Sequence, residues 1–240
     1  MSASPFALWV YLAERPLTWL TLTLAAYALA DRFAARLGRP PLANPVLIAA
    51  ALIGLILAAT GTPYPVYFDG AQFVHFLLGP ATVALAVPLF AHRQTVAKAL
   101  LPIFGALVMG AVVSIISVVL ILKAFGVSTG VVVSMAPKAI TAAVAMAVSE
   151  GLGGDPALTA VLVVSTGIFG AVVAIPLLNA AGIQDERARG FGIGLVAHGI
   201  GTARAFQASE LTGTFAAVAM ALNAAFTAMI TPWLLRWLGG

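Results

Sequence analysis

The chain has 240 residues, of which 62% are hydrophobic and only 8% are charged, whereas a soluble domain carries roughly 25% charged residues. This composition excludes an ordinary soluble protein and predicts an all-α integral membrane protein. The net charge of +4 does not indicate nucleic-acid binding, because most of the twelve basic residues stand at the ends of apolar segments, and the lack of cysteine excludes disulfides and thiolate metal sites.

Eight apolar segments follow one another along the chain, each with the length and hydropathy of a membrane helix. They cover residues 17–34, 44–60, 73–90, 98–122, 130–149, 157–178, 190–206 and 213–236. No polar stretch is long enough to form a separate soluble domain, so residues 1–240 are predicted to form one polytopic membrane domain. The short stretch 6–13 is too brief to span a bilayer and is expected at the membrane interface.

Basic residues between the segments predict which side of the membrane each loop faces. The loop 32–39 contains three arginines, which places it in the cytoplasm by the positive-inside rule. The next loop, 61–72, has one acidic and no basic residue and is expected outside, whereas the loop with Arg93 and Lys98 is expected inside. Beyond Lys123 the charge pattern assigns no side.

Helix-breaking residues interrupt three of the eight segments. They are Gly79, Pro80 and Pro88 in the third segment, Pro137 in the fifth, and Gly199 and Gly201 in the seventh. Freed backbone groups need partners inside a bilayer, so repeated breaks favour discontinuous helices around a polar cavity. Simple proline kinks are the alternative.

A weak internal repeat accompanies the breaks. Residues 83–90 (VALAVPLF) resemble residues 171–178 (AVVAIPLL). The match predicts repeats of about 44–122 and 136–210, three crossings apart and therefore inverted, which is a common plan of transporters. Apolar sequence also produces such matches by chance.

Lys138 is the most informative residue, because it lies in the middle of the apolar run 127–148. On a helix it would be about 15 Å from either end, and a cation at that depth costs roughly 3 kcal/mol or more. Pro137 precedes it, so the chain is expected to open its backbone there. We interpret Lys138 as the centre of an anion site. Pairing with Glu150 on a bent segment is the structural rival.

Segment seven provides the second group of polar residues. His198 lies beside Gly199 and Gly201 and is interpreted either as a proton acceptor or substrate contact, or as a neutral imidazole satisfied by a neighbouring hydroxyl. Arg204 could clamp a carboxylate or could extend to the interface. Thr202 lies on the same turn.

The deep ionisable residues are therefore basic, while the acids stand at segment ends or in loops. A carboxylate substrate would complete the pairing, and a sodium site would instead need buried carboxylates. The segments hold no serine with a neighbouring acid–base pair, and the three histidines lack metal-ligand spacing. We expect neither an enzyme nor a cofactor.

Several blocks resemble the LrgB/CidB family of antiholin-like membrane proteins, over nearly all of the chain. They are Leu42–Val46, Leu78–Phe90, Pro137–Thr141 and Ala197–Arg204. Ala136 and Ala197 stand where the family often has serine, and Phe206 stands near a frequent acidic position. These departures put substrate or affinity in doubt.

The resemblance implies a multi-pass protein of the bacterial inner membrane that works with a smaller LrgA/CidA-type partner and is related to plastid glycolate and glycerate carriers. Two functions are implied, and a homodimer is a further expectation. One function is control of murein hydrolase export and autolysis, and the other is transport of small monocarboxylates such as pyruvate, glycolate or glycerate. The charge argument favours a carrier over the antiholin-like regulator, leaves proton coupling open, and does not separate a carrier from a channel. The candidate substrate-binding residues are Lys138, Thr141, Ser134, His198, Thr202, Arg204, Asn44 and Thr82.

Overall fold

The structure of the protein, a computed structural model, describes residues 15–40 and 43–239. Within these ranges it contains twelve α-helices and no β-strand, which confirms the all-α prediction. The predicted interfacial stretch 6–13 lies outside the described residues. The helices are α1 (Pro16–Arg36), α2 (Pro45–Thr60), α3 (Tyr64–Phe76), α4 (Leu78–Ala84), α5 (Ala86–Ala91), α6 (Arg93–Lys98), α7 (Leu100–Ala124), α8 (Thr129–Met135), α9 (Ala142–Gly151), α10 (Pro156–Ala180), α11 (Glu186–Ala208) and α12 (Glu210–Trp237).

The chain divides into two compact units, before and after the junction of Ala84 and Leu85. In the amino-terminal unit α1 packs against α2 and α3. The buried Trp19 ring meets the Tyr67 ring edge-on, with 5.8 Å between the centroids. A Cβ atom at Gly70 would lie 2.8 Å from Trp19 Cβ, so glycine permits the close approach of α3 to α1.

Predicted segment three, 73–90, is divided into short helices, as its breakers indicate. The helices are divided at Leu77 and at Leu85, so the divisions precede Gly79 and Pro88 rather than coinciding with them. The prolines are the third residues of α4 and α5, where a missing N–H is tolerated because the first turn leaves it unpaired.

Three helices in the described residues are long and apolar enough to cross a membrane, namely α7, α10 and α12. The predicted count of eight spans is not confirmed. The main departures are segments five (130–149) and seven (190–206), each of which folds back on itself instead of continuing as one helix.

The first hairpin consists of α8, the turns of residues 136–141, and α9. Ser134 Oγ accepts the backbone N–H of Asp155 at 2.8 Å, although a continuous helix would separate these residues by about 30 Å. The return arm therefore brings the chain back beside α8. The chain turns here because Pro137 cannot continue the helical hydrogen bonding.

The second hairpin is α11, which reverses at His198. This residue has φ 39° and ψ −133°, a backbone conformation far from helical. A Cβ atom at Gly201 would lie 3.1 Å from the carbonyl oxygen of Ile193, whereas eight residues of straight helix cover about 12 Å. Residues 186–197 thus form a first arm, and residues 199–208 run back along it as a second arm.

The two hairpins enter from opposite ends of α12. The first follows α7, whose Lys123 Nζ donates to the carbonyl oxygens of Leu238 and Gly239, both at 2.6 Å, just beyond the carboxyl end of α12. The second packs along the amino-terminal half of α12, where Gly194 would place a Cβ atom 2.6 Å from the Ala216 carbonyl carbon. Small residues allow this backbone approach, as is common between membrane helices.

The carboxyl-terminal unit therefore contains the same arrangement twice, a hairpin followed by a long helix, in residues 129–180 and in residues 186–237. The two hairpins point in opposite directions along α12. This relation differs from the repeat of 44–122 with 136–210 that the sequence predicts, and that repeat stays a prediction. The opposed hairpins bring both of their tips to the middle of α12.

Candidate functional site

Asn223, at the middle of α12, connects the two hairpin tips. Its Nδ2 donates to the carbonyl oxygen of Ala139 at 3.2 Å and to that of Leu195 at 2.8 Å. Ala139 belongs to the turns of the first hairpin, and Leu195 is among the last residues of the first arm of α11. Helix ends leave their last carbonyls without partners in the helix, so one buried amide satisfies a carbonyl from each tip. We call Ala139, Leu195 and Asn223 the crossing.

A second hydrogen bond fixes the orientation of this amide. Thr227 Oγ1 donates to Asn223 Oδ1 at 2.9 Å, which leaves Nδ2 directed at the two carbonyls. Asn223 is only 1% exposed, so every polar atom of its side chain needs a protein partner. The bonds at the crossing supply them.

Lys138 lies at the tip of the first hairpin, next to Ala139 of the crossing. Its Nζ donates to Ser114 Oγ at 3.2 Å and lies 3.5 Å from the Ser114 carbonyl oxygen, in the middle of α7. Across residues 15–40 and 43–239, no ion pair joins Lys138 to a carboxylate, and Glu150 is exposed. The proposed pairing with Glu150 is thus absent from the described structure. Among the described residues, the half-buried ammonium meets only neutral groups.

At the tip of the second hairpin, His198 binds the middle of α10. Its Nε2 lies 2.9 Å from the carbonyl oxygen of Val163, and because a carbonyl only accepts, Nε2 carries a proton. The expectation of a hydroxyl partner for the ring was wrong, since the partner is a backbone carbonyl. The ring fits because Gly167 has no side chain, as a Cβ atom there would lie 2.7 Å from Nε2.

Two of the hydroxyl groups that the sequence predicts to bind substrate make hydrogen bonds to backbone groups of the protein. Thr202 Oγ1 donates to the His198 carbonyl at 2.7 Å, which satisfies a backbone group at the reversal. Ser134 is fully buried, and its hydroxyl donates to the Gly130 carbonyl at 2.7 Å and accepts from the Asp155 N–H. Any contact of these hydroxyls with a substrate stays a prediction.

The remaining predicted residues occupy varied positions. Thr141 precedes the first turn of α9, is half-buried and makes no side-chain capping bond. Arg204, on the second arm of α11, donates to Gln207 Oε1 at 2.9 Å. In the amino-terminal unit, Asn44 caps α2 through a bond from the Val46 N–H at 2.9 Å. Thr82 is in α4, and its side chain lies outside the described part of the structure.

Two half-helices begin at the tips. The arm α9 starts at Ala142, and the return arm of α11 starts at Gly199. The amino end of a helix carries partial positive charge and unpaired N–H groups. Together with Lys138, these ends place positive charge beside the crossing, and the anion site that the charge count predicts stays a prediction.

Sequence reasoning missed Asn223, Ser114 and Thr227. A signal for Asn223 was present, because a lone amide in the apolar segment 213–236 is expensive in a membrane for the same reason as a lone cation. Nothing in the sequence distinguished Ser114 from the other serines, since its importance depends on the direction of the Lys138 side chain.

These features define an all-α membrane protein whose carboxyl-terminal unit holds two opposed helical hairpins. The chain belongs to the LrgB-like family, whose model matches residues 23–237. This confirms the resemblance found in the sequence blocks.

Curated relatives cover almost the whole chain. The holin-like protein CidB of Staphylococcus epidermidis is 32% identical over 213 residues, which is 89% of this chain and 93% of the relative. CidB of Staphylococcus aureus is 32% identical over 216 residues, covering 90% and 94%. The YwbG protein of Bacillus subtilis is 36% identical over 219 residues, covering 91% and 97%. No solved structure matches the chain significantly.

Proposed function

We propose that the protein is a holin-like component of the bacterial inner membrane, which controls murein hydrolase export and autolysis together with a smaller LrgA/CidA-type partner. The observation that carries this proposal is the similarity to proteins named holin-like over about nine-tenths of both chains. The similarity therefore favours the holin-like function, whereas the charge pattern of the sequence favours anion transport. Neither function requires an enzymatic step or a cofactor.

The structure shows which glycines are suitable for testing contact with a partner protein. Glycines on internal faces are poor probes of a partner, because Gly110 and Gly170 face Leu195 and Ala197 within the unit. Gly105 is a better probe, since it is exposed on α7 and a Cβ atom there meets nothing within 4 Å.

The experiment complements a deletion strain with the wild-type chain, Gly105→Leu or Lys138→Gln. Autolysis is followed by the fall in culture turbidity and by murein hydrolase activity in the medium, and the tagged LrgA/CidA-type partner is co-purified. We expect Lys138→Gln to restore normal autolysis and Gly105→Leu to weaken co-purification. Unchanged autolysis in the deletion strain itself would exclude the proposal.

A second candidate is favoured by the ammonium of Lys138, which has only neutral partners in the described part of the chain and lies beside the crossing. In this candidate the protein carries a small organic anion, such as pyruvate, glycolate or glycerate. Lys138 and the amino ends of the two half-helices would hold the carboxylate, with Thr141 and Arg204 as further contacts and His198 in proton transfer. The supporting observation is electrostatic, because an anion would supply the charge that the described residues lack.

Proton coupling would make such transport electroneutral. Without it, the membrane potential opposes anion entry by about 2.3 kcal/mol per charge per 100 mV. Uptake of labelled glycolate, glycerate and pyruvate into proteoliposomes, with and without a pH gradient, tests the candidate.

Lys138→Gln and Lys123→Gln form a matched pair for this assay. Both remove one lysine, but Lys123 lies at the end of α7 and binds terminal carbonyls. We expect uptake to fail only in Lys138→Gln. Equal uptake by both variants would rule out an anion site at Lys138.

A further inference from the structure

A cavity of about 460 Å³ lies in the carboxyl-terminal unit and shares one residue, Leu195, with the crossing. It opens between the start of α7 and the first arm of α11, and it has two chemically different parts. Its charged rim consists of Lys98, Asp185 and Arg187, and its apolar wall includes Ala106, Leu195 and Phe215. Its volume is within the range of small-molecule sites.

The rim has an excess of one positive charge. Arg187 binds Asp185 through Nε at 3.1 Å and Nη2 at 2.5 Å, and these bonds, with the backbone N–H groups of α11, lower the pKa of Asp185 to about 2. Asp185 is therefore ionised at neutral pH and neutralises Arg187. Lys98 is exposed and has no acidic partner among the described residues.

The cavity continues from this rim into the apolar part of the unit. From Arg187 to Leu195 the first arm of α11 advances by about 12 Å. Leu195 and Phe215 are buried members of the apolar core on this side. A ligand that follows the cavity therefore meets cations first and hydrocarbon side chains afterwards.

We propose that this cavity binds an anionic phospholipid of the bilayer, with the phosphate at Lys98 and Arg187 and part of one acyl chain along Leu195 and Phe215. The loop with Lys98 is predicted to face the cytoplasm, where the anionic headgroups of the inner leaflet attract basic side chains. A soluble anion would leave the apolar wall unused, and an uncharged lipid would leave the Lys98 ammonium unused.

Gly192 provides a direct test, because it lines the cavity and a Cβ atom there meets nothing within 4 Å. Gly192→Leu should fill the space without displacing a neighbour. Gly105→Leu is the matched control, since it adds the same side chain to an open helical position outside the cavity. Lys98→Glu changes only the exposed rim, so it remains informative if Gly192→Leu does not fold.

The full chain is purified in detergent, mixed with equal amounts of phosphatidylglycerol and phosphatidylcholine, and analysed by native mass spectrometry. We expect the wild type and Gly105→Leu to retain phosphatidylglycerol preferentially. In Lys98→Glu and Gly192→Leu we expect this preferential retention to fall by at least about fivefold, which is the effect of one cation near a membrane surface. A competition arm adds glycerol phosphate, which should not displace the lipid.

Three results would overturn the proposal. Equal retention of both lipids would show that the rim charge selects nothing. Retention unchanged in both Lys98→Glu and Gly192→Leu would place the lipid elsewhere. Displacement by glycerol phosphate alone would identify a soluble phosphate as the ligand.

Discussion

The two hairpin tips perform the same structural task with different chemistry. Each ends a half-helix in the middle of the unit, and each contributes one carbonyl to Asn223. The first tip uses six residues of turns and carries the half-buried ammonium of Lys138, whereas the second reverses at the single residue His198, whose buried ring is bonded to α10. The comparison indicates that the second tip is closed by protein partners, while the first retains a charge that the described residues do not neutralise.

The largest expected effect comes from breaking the connection between the tips. Asn223→Leu leaves the carbonyls of Ala139 and Leu195 without their buried donor, so we expect the free energy of unfolding to fall by about 2–4 kcal/mol. Denaturant unfolding in detergent micelles measures the change. Thr231→Val is the control, because it removes a bond to a carbonyl of the same helix and should cost below about 1 kcal/mol. A cost that small for Asn223→Leu would show that the tips do not depend on the amide.

A methyl group at the second tip should have the next largest effect. In Gly167→Ala the added Cβ atom would lie 2.7 Å from His198 Nε2, so the ring must leave the Val163 carbonyl. We expect a loss of about 1–3 kcal/mol in the free energy of unfolding. Gly105→Ala meets no neighbour and should be neutral or slightly stabilising. If both variants unfold alike, the second tip is not closed as described.

Removing the charge of the first tip should change the stability less. Lys138→Met deletes an ammonium whose partners are neutral, and we expect the free energy of unfolding to stay within about 1 kcal/mol of the wild type. The anion-carrier candidate predicts that glycolate raises the unfolding midpoint of the wild type, because a ligand of the native state stabilises it, and leaves that of the variant unchanged. A similar glycolate effect in both proteins would contradict an anion site at Lys138.

The smallest expected effect lies outside both tips, at the amino end of α11. Hydrogen bonds from Arg187 and from the backbone of the helix lower the pKa of Asp185 from 3.8 to about 2. This carboxylate therefore contributes stability that is present above pH 4 and is lost as the pH falls towards 2. Asp185, the N-cap residue of α11, accepts the backbone N–H groups of Arg187 and Ala188. Asp185→Asn should weaken that part of the pH dependence of stability, and a wild-type-like dependence would show that the carboxylate contributes nothing. Exposure to solvent keeps the effect small.

The local sequence identified the basic tip but not its partners. Pro137 and Lys138 mark a break and a charge in one apolar run, and both features follow from the cost of polar groups in a bilayer. The residue that joins this break to the second one is distant in the chain. Its contacts depend on how α12 passes between the two tips.

By itself, the sequence determined that the protein is an all-α membrane protein, which segments contain breaks, and that the deep ionisable residues are basic. Composition and the transfer cost of each residue suffice for these conclusions. Only the tertiary structure decided that segments five and seven reverse, because apolar periodicity is the same for a spanning helix and for two antiparallel arms. It also decided that Asn223, Ser114 and Val163 are the partners of the tips, since hydrogen bonds between distant segments depend on packing and leave no local pattern.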